Sequence, residues 1–279
     1  MTNQQLFKLS ESADVTHVGG KAYALGKMLR VGFIIPNGFV VSANSSNAMT
    51  PVLSDVILSA FDKLGTEFVA VRSSAVNEDG IDAAWAGQLD TFLNCTRENL
   101  IQSVKDCWES ASNARAQSYA QQKGIEATKV AVMVQAMVES EVSGVSFSAH
   151  PVSGDTTQMV IEAGLGLGEA VVSGQITPDT YILDKKKEQL IEKHIALQKK
   201  KLARSDAGTT VWLDVGVEGS APKLSDEQII KLCKLTEKLE EFFGYPVDVE
   251  WALSNDTIYI LQTRPITTLE CTWDTMIIN

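Results

Sequence analysis

The chain has 279 residues, 44% of them hydrophobic, and can therefore bury one large core or two smaller ones. Its formal net charge is −11 at pH 7, which argues against an extended nucleic-acid surface. An anionic ligand must then be held by a few local cations. The four cysteines have no paired spacing and the chain has three histidines, so we expect reduced thiols and no zinc site.

The sequence also gives expectations about location. No apolar run approaches the roughly 18 residues of a membrane span. The first residues lack a basic segment followed by an apolar stretch, which a secretory signal requires. We therefore expect a cytoplasmic protein with neither a membrane nor a nucleic acid as partner.

Helical and strand patterns alternate along the chain, which indicates a mixed α/β or α+β protein. Helical patterns cover residues 21–29, 51–64, 97–123 and 225–243. Residues 32–41 are interpreted as a turn followed by a strand, and strand patterns cover residues 67–71, 129–138, 159–163, 181–184, 247–253 and 257–261. The lysine-rich residues 185–201 are interpreted as a solvated hairpin or helix face. Residues 77–88 are rich in Gly, Asp and Ala, as a mobile loop is.

The helix over residues 225–243 has the clearest boundaries. Ser225 and Gln228 form a capping box, and Gly244 followed by Pro246 stops the helix. Its regularly spaced apolar residues are interpreted as core positions.

Two short segments carry charged groups with a common chemistry. Residues 71–75 read VRSSA and place Arg72 at the end of a predicted strand, while residues 248–265 read DVEWALSNDTIYILQTRP and form a predicted hairpin. Glu250 and Gln262 are twelve residues apart, an even separation, so they can share one face of that hairpin with Arg264. A nucleoside triphosphate needs guanidinium groups on its phosphates and a carboxylate on its magnesium ion. The two segments together predict such a site.

Nine motifs occur together in this chain, namely residues 18–22 (VGGKA), 36–40 (PNGFV), 70–75 (AVRSSA), 86–88 (AGQ), 134–138 (VQAMV), 144–147 (GVSF), 166–174 (GLGEAVVSG), 178–181 (PDTY) and 250–265. In this order they resemble the ATP-grasp nucleotide-binding domain of the phosphoenolpyruvate synthase, pyruvate phosphate dikinase and rifampicin phosphotransferase group, over residues 15–268. The resemblance implies an α+β, ATP-grasp fold in which two lobes clasp ATP with Mg²⁺. We expect lobes at residues 1–125 and 126–270 and a tail at 271–279.

The resemblance also implies roles on the phosphate side. Lys21 and Arg72 match the basic pair that grips the triphosphate, with a point charge and a planar fork. Residues 73–88 match a phosphate-covering loop that includes Gly87 and Gln88, and Thr91 matches a threonine near the phosphates. The plainer alternatives are a surface cation at Lys21, a strand-end salt bridge at Arg72 and an ordinary connection for the loop.

Further roles follow from the same resemblance. Glu250 matches a magnesium ligand, Gln262 its companion in the metal and phosphate shell, and Arg264 a second phosphate-neutralising guanidinium. Gln135 and Val138 match positions whose backbone groups hold the adenine edge, and Glu169 matches a ribose or metal contact. The alternatives are a buried salt bridge at Glu250, core packing at Gln135 and Val138, and a tight turn at Glu169.

The implied activity is phosphoryl transfer from ATP to a histidine on a swivel domain, with AMP as the nucleotide product. Pyruvate or another small molecule is then the final acceptor, so the enzyme is a phosphotransferase with paired acceptors. His17, His150 and His194 lack the sequence context of a carrier histidine, so the expected partner is a phosphohistidine domain, in trans or in a longer parent chain. A direct small-molecule kinase or ligase and a non-catalytic nucleotide-sensing subunit stay open as alternatives.

Overall fold

The structure is a computed structural model that describes residues 4–45, 48–76, 91–111 and 129–266. The chain divides into two compact units. The first contains Met1–Glu139, Ala203–Trp212 and Tyr259–Gln262, and the second contains Ser140–Leu202, Leu213–Ile258 and Thr263–Asn279. Both units combine an antiparallel sheet with helices, which agrees with the expected α+β class.

The first unit contains a five-stranded sheet with the strand order β1-β2-β5-β3-β4. Its strands are β1 (Leu6–Lys8), β2 (Gly38–Val41), β3 (Val69–Ala75), β4 (Thr91–Cys95) and β5 (Val130–Ala136). Every neighbouring pair is antiparallel. Central strand β5 is buried along nearly its whole length, as its strongly apolar sequence predicts.

Two helices, α2 (Pro51–Leu64) and α3 (Leu100–Ala111), share one hydrophobic core with alternate residues of this sheet. Helix α2 has the predicted bounds because its ends are strongly specified. The Thr50 hydroxyl accepts a hydrogen bond from Leu53 N, Pro51 occupies the first turn, and Gly65 ends the helix with a positive φ of 66°. Of the pattern at residues 97–123, the structure describes helix only up to Ala111.

Helix α1 (Val15–Arg30) is interrupted at Gly19, which has φ 75° and ψ 168°. A Cβ atom at Gly19 would lie 2.1 Å from the Ser74 carbonyl oxygen, so only glycine permits this approach to β3. The helical stretch that carries Lys21 begins directly after this break, as the sequence predicts.

The second unit holds most of a six-stranded sheet with the order β13-β12-β6-β7-β8-β9. Its strands are β6 (Val142–Phe147), β7 (Gln158–Leu165), β8 (Asp179–Asp184), β9 (Gln189–His194), β12 (Val247–Ser254) and β13 (Thr257–Pro265). A short helix, α4 (Glu169–Val172), follows β7. Strands β10 (Lys200–Arg204) and β11 (Thr210–Asp214) form a separate two-stranded ribbon.

One face of the six-stranded sheet packs against helix α5 (Asp226–Phe243) through a core that includes Trp251, Leu253 and Tyr181. The capping box of Ser225 and Gln228 and the left-handed Gly244 are present as predicted. The predicted hairpin of β12 and β13 turns at Asn255 and Asp256, whose φ values of 48° and 57° match the left-handed pair of a type I′ turn.

Several expectations differ from the structure or lie outside it. The boundary expected between residues 125 and 126 and the tail at 271–279 lie outside the described residues, and strand β5 belongs to the first unit. The lysine-rich residues 185–201 contribute to strands β9 and β10, so the helix alternative is wrong. Strands β1, β4, β6 and β11 were not anticipated by the strand patterns. Within the described ranges, no helix has the length and apolar character needed to cross a membrane.

Candidate functional site

Lys21 lies beside strand β3 of the first unit. Its Nζ donates a hydrogen bond to the Ser73 carbonyl oxygen at 3.3 Å, and the next backbone N–H, that of Ala22, donates to Ser74 Oγ at 3.2 Å. These two bonds and the close approach of Gly19 fix the start of the helix against β3. The structure therefore brings Lys21 next to the strand that carries Arg72.

The Arg72 guanidinium joins β3 to strand β13. Its Nη1 donates to the Leu261 carbonyl oxygen at 3.1 Å, and its Nη2 donates to Gln262 Oε1 at 3.0 Å. Gln262 is 7% exposed, whereas the Arg72 side chain is only partly buried. Two residues that are 190 positions apart, and that were singled out separately for phosphate chemistry, are thus in direct contact.

Thr91 is the register partner of Arg72 in the pairing of β3 with β4. Side chains of directly opposed residues in an antiparallel pair lie on the same face of the sheet. Lys21, Arg72, Thr91 and Gln262 therefore cluster around β3, within one unit. Gly87 and Gln88, from the expected phosphate-covering loop, lie outside the described residues.

Gln135 and Val138 have different environments. The Gln135 side chain is 2% exposed and its Nε2 donates to the Pro36 carbonyl oxygen at 3.3 Å, so this side chain stabilises the sheet. Val138 follows β5, and among the described residues nothing hydrogen-bonds to its backbone N–H or C=O. Of the two, Val138 has the backbone edge better suited to an incoming base.

Glu250 lies on β12, on the sheet face opposite helix α5. Its register partner on β6 is Val145, and Val145 in turn opposes Glu162 on β7. Asp248 lies two residues before Glu250 and therefore on the same face. This face, which we call the acidic face, thus presents Asp248, Glu250 and Glu162 in the second unit.

Arg264 contacts the acidic face through Asp248. Its Nε and Nη2 both donate to Asp248 Oδ2, each at 2.8 Å. Burial raises the pKa of Asp248 above its ordinary value, the Arg264 charge and hydrogen bond act against this rise, and the negative charge of Glu250 adds to it. Burial, together with the charge of Asp248, also raises the pKa of Glu162. Burial is thus the main cause of both raised pKa values on the acidic face.

Glu169 begins the four-residue helix α4 with an exposed side chain. Among the described residues, its carboxylate forms no ion pair. The ribose or metal contact at Glu169 stays a prediction.

The three histidines make local contacts. His17 Nδ1 lies 3.2 Å from Asp14 Oδ2 and its ring stacks on Phe7, while His150 Nδ1 accepts hydrogen bonds from the backbone of Val152 and Ser153. His194 is exposed on strand β9. His17 and His150 are thus held by residues near them in the chain.

The sequence patterns missed two carboxylates of the acidic face. Asp248 could have been found, because the alternation in residues 247–251 (VDVEW) puts it on the same face as Glu250. Glu162 gave a weaker signal as a single acid within the apolar strand β7.

A known family model matches most of the chain. The model of the pyruvate phosphate dikinase AMP/ATP-binding domain matches residues 45–275. The chain belongs to this family. The expected α+β fold of the ATP-grasp class is thereby confirmed.

Two curated relatives match along most of the chain. It is 40% identical to the probable phosphoenolpyruvate synthase of Archaeoglobus fulgidus, in an alignment that covers 92% of the chain and 40% of that protein. It is 34% identical to the uncharacterized phosphotransferase YvkC of Bacillus subtilis, which covers 95% of the chain and 35% of that protein. The chain therefore spans less than half the length of these relatives.

Among solved structures, the D-alanine–D-alanine ligase of Bacillus anthracis complexed with ATP matches in an alignment that covers 92% of this chain and 58% of the ligase chain. With 8% identity and a TM-score of 0.42, this likeness supports no inference about the site.

Proposed function

We propose that this chain is the Mg-ATP-binding part of a phosphotransferase. It passes one phosphoryl group from ATP to a histidine on a swivel domain, which is supplied in trans or by a longer parent chain. A second phosphoryl group goes to another acceptor, and AMP is released. Membership of an AMP/ATP-binding domain family supports the nucleotide. The names of the relatives, a probable phosphoenolpyruvate synthase and a phosphotransferase, support the class of reaction.

The observation that carries the proposal is the cluster around β3. Arg72 contacts Gln262, Thr91 opposes Arg72, and Lys21 lies against the same strand. In an acidic chain, a point charge beside a strand and a planar guanidinium on that strand are suited to a triphosphate. Holding these groups in position before the nucleotide arrives reduces the reorganisation that phosphoryl transfer requires.

The residues present also fit a magnesium ion. In this assignment Glu250 of β12 supplies a partly exposed carboxylate, and Gln262 of β13 supplies an amide oxygen. In the described part of the chain, no group of three His, Cys, Asp or Glu side chains is arranged as a metal site. Magnesium in nucleotide sites commonly uses one or two protein oxygens, with phosphates and water as its other ligands. When bound, the ion neutralises phosphate charge.

Arg264 and Val138 complete the assignment. Arg264 has a side chain that is 36% exposed, so it can meet a phosphate while Asp248 holds its orientation. The backbone groups of Val138 are suited to the edge of adenine, whose donor and acceptor match a peptide N–H and C=O. Glu169 is assigned to the ribose or the metal ion.

The acceptors lie outside the residues described. Release of AMP requires two phosphoryl groups to leave ATP, one to the carrier histidine and the other to a second acceptor. The local contacts of His17, His150 and His194 favour a carrier on another domain. The phosphohistidine then transfers its phosphoryl group to pyruvate or another small molecule.

Binding is tested by isothermal titration with a non-hydrolysable ATP analogue, with and without Mg²⁺. We expect saturable binding heat, and we expect the affinity to be higher when Mg²⁺ is present. Folded protein that produces no heat under either condition would contradict the proposal.

The reaction is tested by incubating the chain with labelled ATP, alone and with a phosphohistidine domain from a relative, followed by chromatography of the nucleotides. We expect slow turnover alone and AMP formation with the added domain. Rapid ADP formation with a small molecule would favour a direct kinase, and ATP binding with no turnover under any of these conditions would favour a sensing subunit.

A further inference from the structure

Arg204 connects a distant segment of the chain to the end of strand β5. Its guanidinium carbon lies 4.2 Å from the centre of the Phe68 ring, and its Nη2 pairs with the carboxylate of Glu139. Arg204, Phe68 and Glu139 all belong to the first unit. The Arg204 side chain is 20% exposed, whereas that of Glu139 is 69% exposed.

The loop that follows Arg204 packs on the same ring. Gly208 has φ 78°, and a Cβ atom at this position would lie 2.7 Å from Phe68 Cε1. Two residues after Gly208, at the start of β11, Thr210 Oγ1 accepts a hydrogen bond from Asn94 Nδ2 at 2.8 Å. Residues 203–212 are therefore fixed on the first unit by several independent contacts.

These contacts surround the peptide unit of Val138. On one side, Met137 N donates to the Phe68 carbonyl oxygen at 3.0 Å. On the other side, Glu139 pairs with Arg204, which stacks on the ring of the same Phe68. Val138 lies between two fixed neighbours, and within the described ranges nothing hydrogen-bonds to its own N–H and C=O.

We propose that Arg204 is a positioning residue for nucleobase recognition, which acts through Glu139 to fix the backbone edge of Val138. This inference rests on the proposed binding of ATP by the chain. An ion pair with one highly exposed partner adds little to stability, so the placement of the pair beside Val138 matters more than its strength. Arg204 itself does not contact the base.

The expected consequence is selectivity for the base. Adenine and guanine present opposite donor and acceptor patterns at the edge that a peptide can read. A backbone edge held in one position rejects the wrong pattern because its polar groups are left unpaired, whereas a loose edge adapts to either base.

The test compares the variants Arg204→Met and Glu139→Gln with the unmodified chain. Calorimetry measures the affinities of the magnesium complexes of a non-hydrolysable ATP analogue, the matching GTP analogue and tripolyphosphate. We expect Arg204→Met to weaken binding of the ATP analogue by about tenfold and to lower the ATP-to-GTP ratio. Tripolyphosphate affinity should not change, and Glu139→Gln should lie between Arg204→Met and the unmodified chain.

Arg97→Met is the matched control, because it breaks the exposed Arg97–Asp62 pair of the same unit. It should leave all three affinities unchanged. An unaltered ATP-to-GTP ratio in Arg204→Met, or an equal loss for tripolyphosphate, would overturn the positioning role and leave the proposed function intact. No binding of any ligand by the unmodified chain would instead overturn the proposed function and this inference with it.

Discussion

Two of the aspartate–cation pairs in the second unit differ in their surroundings. Asp179 and Lys223 have side chains that are 0% exposed, and their charged atoms are 3.1 Å apart. Asp248 and Arg264 form a shorter contact of 2.8 Å, yet the Arg264 side chain is 36% exposed. Burial therefore distinguishes the two pairs more clearly than distance does.

The Asp179–Lys223 pair is surrounded by the protein's own polar groups. The Asp179 carboxylate accepts hydrogen bonds from the backbone N–H groups of Ala196 and Lys223 and from the Tyr181 hydroxyl. The Lys223 ammonium donates to the carbonyl oxygens of Ala196 and Gly219. Burial, reinforced by Asp179, raises the pKa of Tyr181, so this hydroxyl stays protonated and continues to donate.

Burial and solvent exposure separate a structural ion pair from a functional one in this chain. A buried pair whose partners are all internal stabilises the fold and cannot be reached by a ligand. A pair with one solvent-exposed cation, on a face with further carboxylates, can exchange contacts with an incoming phosphate or metal ion. Substitutions in the two pairs should therefore have opposite consequences.

The largest expected effect on stability is that of Asp179→Asn. It leaves the Lys223 ammonium buried without a negative partner, which should cost about 3–5 kcal/mol of unfolding free energy. Urea denaturation measures the loss. The control Asp226→Asn breaks a pair whose aspartate is 87% exposed and should change stability by less than about 1 kcal/mol. Equal losses in the two variants would contradict the structural role of Asp179.

Arg264→Ala should mainly affect binding. We expect Mg-ATP affinity to fall by about a hundredfold, with a stability loss of about 1–2 kcal/mol at neutral pH. The stability loss should shrink at low pH, because Arg264 lowers the pKa of Asp248 and its removal lets that buried carboxyl take up a proton more readily.

The double variant Asp248→Asn/Arg264→Ala serves as its control, because it removes both charges. It should recover stability without recovering Mg-ATP binding. If nucleotide affinity returns together with stability, then Arg264 acts on the fold alone.

Magnesium should raise the ATP affinity of Glu250→Gln about tenfold less than it raises that of the unmodified chain. The reason is that the substitution removes the carboxylate that we assign to the metal ion. Titrations of the ATP analogue across a series of Mg²⁺ concentrations measure this change. Stability should be equal or slightly higher, since one negative charge leaves the acidic face. Glu192→Gln, at an exposed position of β9, is the matched control and should respond to Mg²⁺ like the unmodified chain.

The smallest expected effect is that of Glu162→Gln on the pH dependence of stability. Since the pKa of Glu162 is raised in the folded state, the folded protein binds the proton more strongly than the unfolded chain. Stability therefore falls as pH rises from the unfolded pKa through the folded pKa. The glutamine variant lacks this fall and should be slightly more stable at neutral pH than the unmodified chain, with the difference vanishing below the unfolded pKa. A difference that persists unchanged at acid pH would exclude this origin.

Local signals in the sequence predicted the helices and the hairpin well. Helix α2 begins at Pro51 after a threonine cap and ends before Gly65, and α5 has its capping box and glycine stop. Strand β6 was missed because Gly144 and two serines interrupt its apolar pattern. The structure explains that glycine, since a Cβ atom there would lie 1.8 Å from the Glu162 carbonyl oxygen.

The sequence by itself determined the elements and, through the resemblance, the family and the candidate residues. Caps, periodicity and turn residues act over a few positions, so each can be read from its own neighbourhood. The even spacing of Glu250 and Gln262 belongs to the same class of short-range information.

Only the tertiary structure decided which charged residues meet. Arg72 and Gln262 are 190 positions apart and Asp179 and Lys223 are 44 apart, so neither contact has a local signal. Both aspartates lie on strands, but their partners differ. Asp179 accepts hydrogen bonds from backbone N–H groups, whereas Asp248 pairs with the partly exposed guanidinium of Arg264. This difference arises from burial and from strand register, which depend on the packing of the whole unit rather than on neighbouring residues in the chain.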